Sequence, residues 1–197
     1  MYSPFSIFSL LLAYNSDILL KIMEKAMTTL SGNVIPFIRA AQMSTPRKLA
    51  VVFDIDGTLL DITHRLKYIK STPKDWKNFR DPTLKQYDTP RYEIIAVLLA
   101  MYESNHSVVL ASGRTESERE DTLQSLHPFI PFVDDLAFYM RREGDYSKDT
   151  IVKAEMHSQM LEDGFVPELV FDDRPSVIEM WRSIGVSVAD VGPGVAF

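Results

Sequence analysis

Short apolar runs alternate with longer segments of helical period along most of this chain. "LAVVFD" (49–54) has the length and branched aliphatic content of a strand buried on both faces. "SVVLAS" (107–112) and "ELVFDD" (168–173) repeat that form, and weaker strands are expected at "LAFYM" (136–140) and "VSVADV" (186–191). Between the strands, "YEIIAVLLAMYE" (92–103) is apolar nearly all round, which predicts a well-buried helix; Thr89-Pro90 should open it, with proline in the first helical position. Thr115 and Glu118 make a capping box that marks a helix start after the second strong strand. A further helix runs from about Asp149 to Glu162 and is closed by Gly164. Pro175 opens the helix "SVIEMWRSI" (176–184), which Gly185 ends. Strands alternating with helices predict an α/β fold, a parallel sheet with helices on both faces. Pro73, Pro82 and Pro90 break up residues 62 to 90, which read as an insert with short helices.

The first 47 residues read as a separate extension, and residues 48 to 197 as one domain, because Gly32, Pro36 and Pro46 loosen the stretch between them. Ile18, Leu19, Ile22, Met23, Met27 and Leu30 recur at helical spacing and predict an amphipathic helix, a candidate surface for homo-oligomerisation. "FSIFSLLLAY" (5–14) is shorter than the roughly 20 apolar residues of a membrane span. It resembles the core of a signal peptide, but no Lys or Arg precedes it and no clean cleavage site follows. Met43 is an alternative start, ahead of "STPRKLAVVFD".

With 197 residues and 46% apolar composition, the chain is long enough for one domain with a substantial core. Its net charge of -6 argues against a role coating nucleic acid, which needs a broad basic surface. The absence of cysteine removes disulfides, thiolate nucleophiles and Cys-ligated metals, and it fits a reducing compartment; a cytoplasmic location is expected. Charge is unevenly spread. Arg65, Lys67, Lys70, Lys74, Lys77, Arg80 and Lys85 face only Asp75 and Asp81 between Ile62 and Tyr87, and Tyr68, Trp76, Phe79 and Tyr87 are interleaved with them. Basic charge among aromatic faces suits a nucleotide or a short single strand, although a solvated helical face above apolar anchors would have the same composition.

The candidate chemistry lies where the strands stop. Asp54 and Asp56 close an apolar run and are two residues apart, so extended backbone turns both side chains the same way. Gly57 permits a tight turn, and Thr58 adds a hydroxyl. Ser112 and the pair Asp172-Asp173 also stand at carboxyl ends of predicted strands, the edge at which open parallel sheets bind ligands. Carboxylates brought so close need protons or a cation between them, and a hard dication such as Mg2+ prefers oxygen ligands.

These segments resemble the haloacid dehalogenase superfamily of phosphohydrolases, with its four motifs in order: "DIDGT" (54–58), Ser112 in "LASGR", Lys148 in "GDYSKD" and Asp172-Asp173 in "VFDDR". More narrowly, "DIDGTLLDIT", "SGR", "RREGDYSKD" and "DDR" are similar to the 3′-phosphatase domain of bacteriophage polynucleotide kinase. No GxxxxGK[ST] loop for a kinase is present. The resemblance implies a Rossmann-like core and a Mg2+-dependent phosphomonoesterase. Asp54 would be the nucleophile that forms an aspartyl-phosphate. Asp56 would be the general acid and base. Ser112 would bind a phosphoryl oxygen, and Lys148 would neutralise Asp54 and the phosphate. Asp54, Asp56 (through its main-chain carbonyl), Asp172 and Asp173 would hold the metal. Thr58, Gly113, Arg114, Arg141 and Arg142 are candidate substrate contacts. The implied substrate is a nucleotide or a nucleic-acid 3′-phosphate. Alternatives are a 5′-nucleotide or small-metabolite phosphatase and, in another class, an inactive binding protein on the same scaffold.

Overall fold

The structure is a computed structural model that describes residues 47–192; the expected extension and its apolar stretch lie outside the described residues, apart from Arg47. Five parallel strands make the central sheet: β1 (Lys48–Phe53), β4 (Ser107–Thr115), β5 (Ala137–Arg141), β6 (Phe165–Asp172) and β7 (Ser187–Asp190). Their order in space is β5-β4-β1-β6-β7. The chain builds outward from β1 on one side and then returns to build outward on the other. β1 is therefore central, and the order reverses beside it.

Alternation along β1 sorts the core into two layers. Val51 and Phe53 join one buried cluster with Ile94, Ile95 and Leu98 of α4 (Tyr92–Glu103). Ala50 and Val52 join the other, with Val152, Met156 and Met160 of α6 (Asp149–Glu162) and Trp181 of α7 (Pro175–Ser183). Side chains at i and i+2 of a strand share a face, so one strand feeds both layers. Each valine, leucine, isoleucine or methionine side chain buried this way contributes about 1.5–3 kcal/mol. α5 (Arg119–Leu126) follows β4 through a short 3-10 turn, Glu116–Glu118, at which the expected capping box of Thr115 and Glu118 forms.

The insert folds as α1 (Thr63–Lys70), α2 (Trp76–Phe79) and α3 (Pro82–Lys85). Asp75 caps α2 by accepting from the Asn78 N–H at 3.0 Å, and Asp81 caps α3 through the Thr83 N–H at 2.8 Å. A two-stranded ribbon closes the insert: β2 (Leu60–Asp61) pairs antiparallel with β3 (Thr89–Pro90). This corrects the expectation that Thr89-Pro90 opens a helix. Pro90 is drawn into extended pairing with Leu60, and the helix starts at Tyr92. That helix is also less buried than its composition suggests, since Tyr92 is 67% and Tyr102 37% exposed. β6 begins three residues before the run expected for it, at Phe165. Among the described residues no helix is long and apolar enough to cross a membrane.

Candidate active site

At the carboxyl ends of β1, β4 and β6 lies a narrow pocket of about 60 Å³. β1 delivers Asp54 to its floor. The Asp54 N–H donates to the Phe171 carbonyl at 3.0 Å, which continues the ladder with β6 through the first acidic residue. The next turn is tight. The Thr58, Leu59 and Leu60 N–H groups all donate to the Ile55 carbonyl, and Gly57 adopts φ +92°. A Cβ on Gly57 would lie 2.1 Å from an Asp173 carboxylate oxygen, so the position has room only for glycine. β6 delivers Asp172 and Asp173 from the other side.

Asp54, Asp172 and Asp173 are all buried, and each offers a carboxylate oxygen within 4.8 Å of the others. Burial and the adjacent carboxylates push the acids of Asp172 and Asp173 well above the usual range, although Lys153 partly offsets this at Asp172. Asp172 Oδ1 accepts from the Arg174 N–H at 3.1 Å, whereas buried Oδ2 has no hydrogen-bond partner among the described residues. Three convergent buried carboxylates with an unsatisfied oxygen fit a hard dication, which takes oxygen ligands and relieves their repulsion. The Asp56 carboxylate is not part of this cluster.

The cation that meets Asp54 is Lys153, not Lys148. The Lys153 ammonium donates to Asp54 Oδ1 at 2.5 Å and to the Ala111 carbonyl at 2.6 Å, and it lies 3.7 Å from Asp172. Burial alone would favour losing its proton; Asp54 and Asp172 outweigh that and raise its pKa above the ordinary lysine value. The expectation for Lys148 is corrected: this residue is the exposed N-cap of α6 and does not line the pocket. Five residues further on, the helix has turned inward beside Val152 and Met156. A lysine inside that apolar stripe was the available signal, since a buried ammonium requires a buried partner.

Asp56 points to the other wall. Arg114 reaches it with Nε at 3.0 Å and Nη2 at 2.6 Å, and Arg65 adds Nη2 at 2.5 Å. Burial by itself raises this acid, but Arg114 and Arg65 outweigh it and hold the carboxyl far below the usual range. Asp88, whose side chain is 2% exposed, accepts from both guanidiniums and fixes their planes. Arg65 and Asp88 were not singled out in the sequence. Arg65 looked like one of seven insert cations, and only the return of the insert over the pocket buries it completely.

The remaining expected contacts divide. Gly113 and Arg114 line the pocket, because the register of β4 with β5 becomes irregular between Ser112 and Thr115. Ser112 is fully buried behind this turn, and its hydroxyl accepts from the Arg114 N–H at 3.2 Å. Thr58 is also fully buried, and its hydroxyl has no hydrogen-bond partner among the described residues. Arg141 is buried and committed to internal partners: the Gly113 carbonyl at 2.9 Å, the Ser147 carbonyl at 2.8 Å and the Asp149 carboxylate. Arg142 is exposed and does not line the pocket.

Residues 48–195 match the model of the phosphatase domain of polynucleotide kinase PNKP. The chain belongs to this family of phosphatase domains. It is a phosphatase of the haloacid dehalogenase superfamily, as the motifs implied. A protein of Autographa californica nuclear polyhedrosis virus, described as a bifunctional polynucleotide kinase/RNA ligase, is 24% identical over 138 residues, covering 70% of this chain and 18% of the viral one. A solved Pnkp1/Rnl/Hen1 complex contains a chain 29% identical to this one, with a TM-score of 0.61; the match covers 77% of this chain and 48% of the other. A Pnkp1/Rnl/Hen1 RNA repair complex gives 26% identity and a TM-score of 0.58, over 74% and 43% of the two chains. The chain thus spans less than half the length of these relatives.

Proposed function

We propose that this domain removes the phosphate from the 3′ end of a nucleic acid strand, in a Mg2+-dependent reaction that passes through an aspartyl-phosphate on Asp54. The observation that carries the proposal is the seating of Asp54 between a buried lysine and two further carboxylates. A carboxylate fixed by an ammonium is aimed into the pocket and needs no neighbouring base to activate it, which suits a nucleophile. An Asp54 oxygen attacks phosphorus and the bond to the leaving 3′ oxygen breaks. Asp56 gives that oxygen a proton, then takes one from the water that attacks the phosphorus. Inorganic phosphate leaves, and Asp54 is restored.

Asp54, Asp172 and Asp173, with the main-chain carbonyl of Asp56, would hold Mg2+, which neutralises phosphoryl charge as a Lewis acid. Lys153, bonded to Asp54, would share that charge. Asp56 as found is held ionised by its two arginines. An incoming phosphate dianion competes for Arg114, and weakening that ion pair raises the proton affinity of Asp56 toward what an acid catalyst needs. Ser112 acts indirectly, by holding the turn that presents Gly113 and Arg114. The nucleic-acid end is favoured by membership of the polynucleotide kinase phosphatase family and by relatives named for polynucleotide kinase and RNA repair.

The test is a panel of 3′-phosphorylated oligonucleotides, 3′- and 5′-mononucleotides and sugar phosphates, each with Mg2+ and with a chelator. The 3′-phosphate oligonucleotide should be the best substrate and the chelator should stop turnover. Asp54→Asn should reduce turnover to background in a folded protein. Preference for a sugar phosphate, or appreciable turnover by the variant, would overturn this reading.

A further inference from the structure

The pocket of about 60 Å³ is far smaller than the roughly 300–1,000 Å³ that holds a drug-sized ligand. It admits a phosphoryl group and leaves the rest of the substrate at its mouth. The insert supplies that mouth. Of the insert's four aromatic residues, only Trp76 and Phe79 line the pocket. Phe79 is buried, with the Arg65 guanidinium 4.6 Å from its ring centre, so its face is taken. Trp76 packs edge-on against Phe79, with ring centres 5.9 Å apart, yet stays 43% exposed. The exposed Lys74 ammonium lies 5.5 Å from the centre of this ring, so a base that stacks on the indole takes the place of a solvated surface cation.

The cations at the mouth are equally selective. Arg65, Arg114, Lys85, Lys153 and Arg174 line the pocket, and each engages a carboxylate: Asp56, Asp88, Glu118, Asp54 or Asp149. Arg80 also lines the pocket and has no carboxylate partner among the described residues. Its guanidinium lies 5.6 Å from the centre of the Trp76 ring. A partly exposed indole and a guanidinium with no carboxylate partner among the described residues therefore lie against one another in the lining of the pocket that holds the catalytic carboxylates.

We infer that α2 and the Arg80 that follows it form a terminal-nucleotide reader: Trp76 stacks on the 3′-terminal base, and Arg80 binds the phosphodiester that joins this nucleotide to the one before it. This rests on the proposed 3′-phosphatase reaction and deepens it. Mononucleotides lack the group that Arg80 binds, so the domain discriminates a strand end from a free nucleotide with Arg80, and a nucleotide from a plain alkyl phosphate with Trp76.

The test compares a 3′-phosphorylated oligonucleotide, a 3′-mononucleotide and a small alkyl phosphate, all with Mg2+, on wild type, Trp76→Leu, Trp76→Tyr and Arg80→Ala. Trp76→Leu should lower the kcat/KM ratio of nucleotide to alkyl phosphate by about 5- to 150-fold, and Trp76→Tyr, which keeps an aromatic face, should recover most of it. Arg80→Ala should lower the ratio of oligonucleotide to mononucleotide and flatten the salt dependence of the oligonucleotide reaction by about 0.7 in log–log slope. Wild-type ratios in Trp76→Leu, or a Trp76→Tyr no better than Trp76→Leu, overturn the stacking role. Equal losses on oligonucleotide and mononucleotide in Arg80→Ala overturn the phosphodiester role. A wild type that turns over oligonucleotide no better than alkyl phosphate instead defeats the 3′-phosphatase reading itself.

Discussion

Lys153 and Lys148 lie five residues apart on and before one helix, and their environments could hardly differ more. The first is 4% exposed and bonded to the central carboxylate, whereas the second is exposed at the helix start. A positioned donor opposite developing charge contributes about 10²- to 10³-fold in kcat. Lys153→Met should therefore cost at least that factor, while Lys148→Ala should stay within about twofold on the same substrate, measured as kcat at saturating Mg2+. Removing Lys153 also leaves Asp54 and Asp172 buried without their counter-ion, a loss of about 3–5 kcal/mol that a denaturant titration of the metal-free protein should register. The glycine at position 57 belongs to the same scale. Its positive φ and its contact with Asp173 couple the first motif to the last through a single missing Cβ.

At the scale of elements, the insert serves the site as well as covering it. α1 sends Arg65 inward, and the segment before β3 sends Asp88 to meet both arginines that hold Asp56. α3 sends Lys85 onto Glu118, the residue that caps the turn after β4. Burial and the nearby Arg114 push Lys85 down from 10.5 to about 8, even with Asp56 and Asp88 acting in its favour. Between those two values the unfolded chain binds the proton that the folded chain has released. The stability contributed by this residue therefore rises with pH across the window from about 8 to 10.5. Wild type should gain stability relative to Lys85→Met when unfolding free energies are compared at either end of that window. An unchanged difference would mean that Lys85 keeps its proton. The sequence displayed the basic and aromatic character of this insert. It did not show which cations would be consumed by internal carboxylates, because that depends on where the chain folds back.

For the whole molecule, the topology that makes β1 central also concentrates negative charge there, since β1 and β6 both end in aspartate beside the crossing point. A dication that binds the folded state alone stabilises it by mass action, by about 2.7 kcal/mol at a hundred times its Kd. Mg2+ should therefore raise the melting temperature. Asp173→Asn removes one of the crowded charges, so it should raise the metal-free melting temperature by about 2–4 °C per kcal/mol relieved while suppressing the Mg2+-induced increase. A metal-free Asp173→Asn protein that melts below wild type would show that this carboxylate is not held at a cost. Periodicity and punctuation determined the parallel sheet, the order of its helices and the two acidic strand ends, because those depend on local patterns of apolar, glycine and proline residues. The resemblance of the motifs then pointed to a phosphatase, which the family match bears out. Only the tertiary structure decided that Lys153 displaces Lys148, that Arg65 and Asp88 belong to the site, and that Ser112, Thr58, Arg141 and Arg142 stand outside the pocket. Each of those outcomes depends on which side chains lose their water when distant segments close over one another, and no local pattern encodes that.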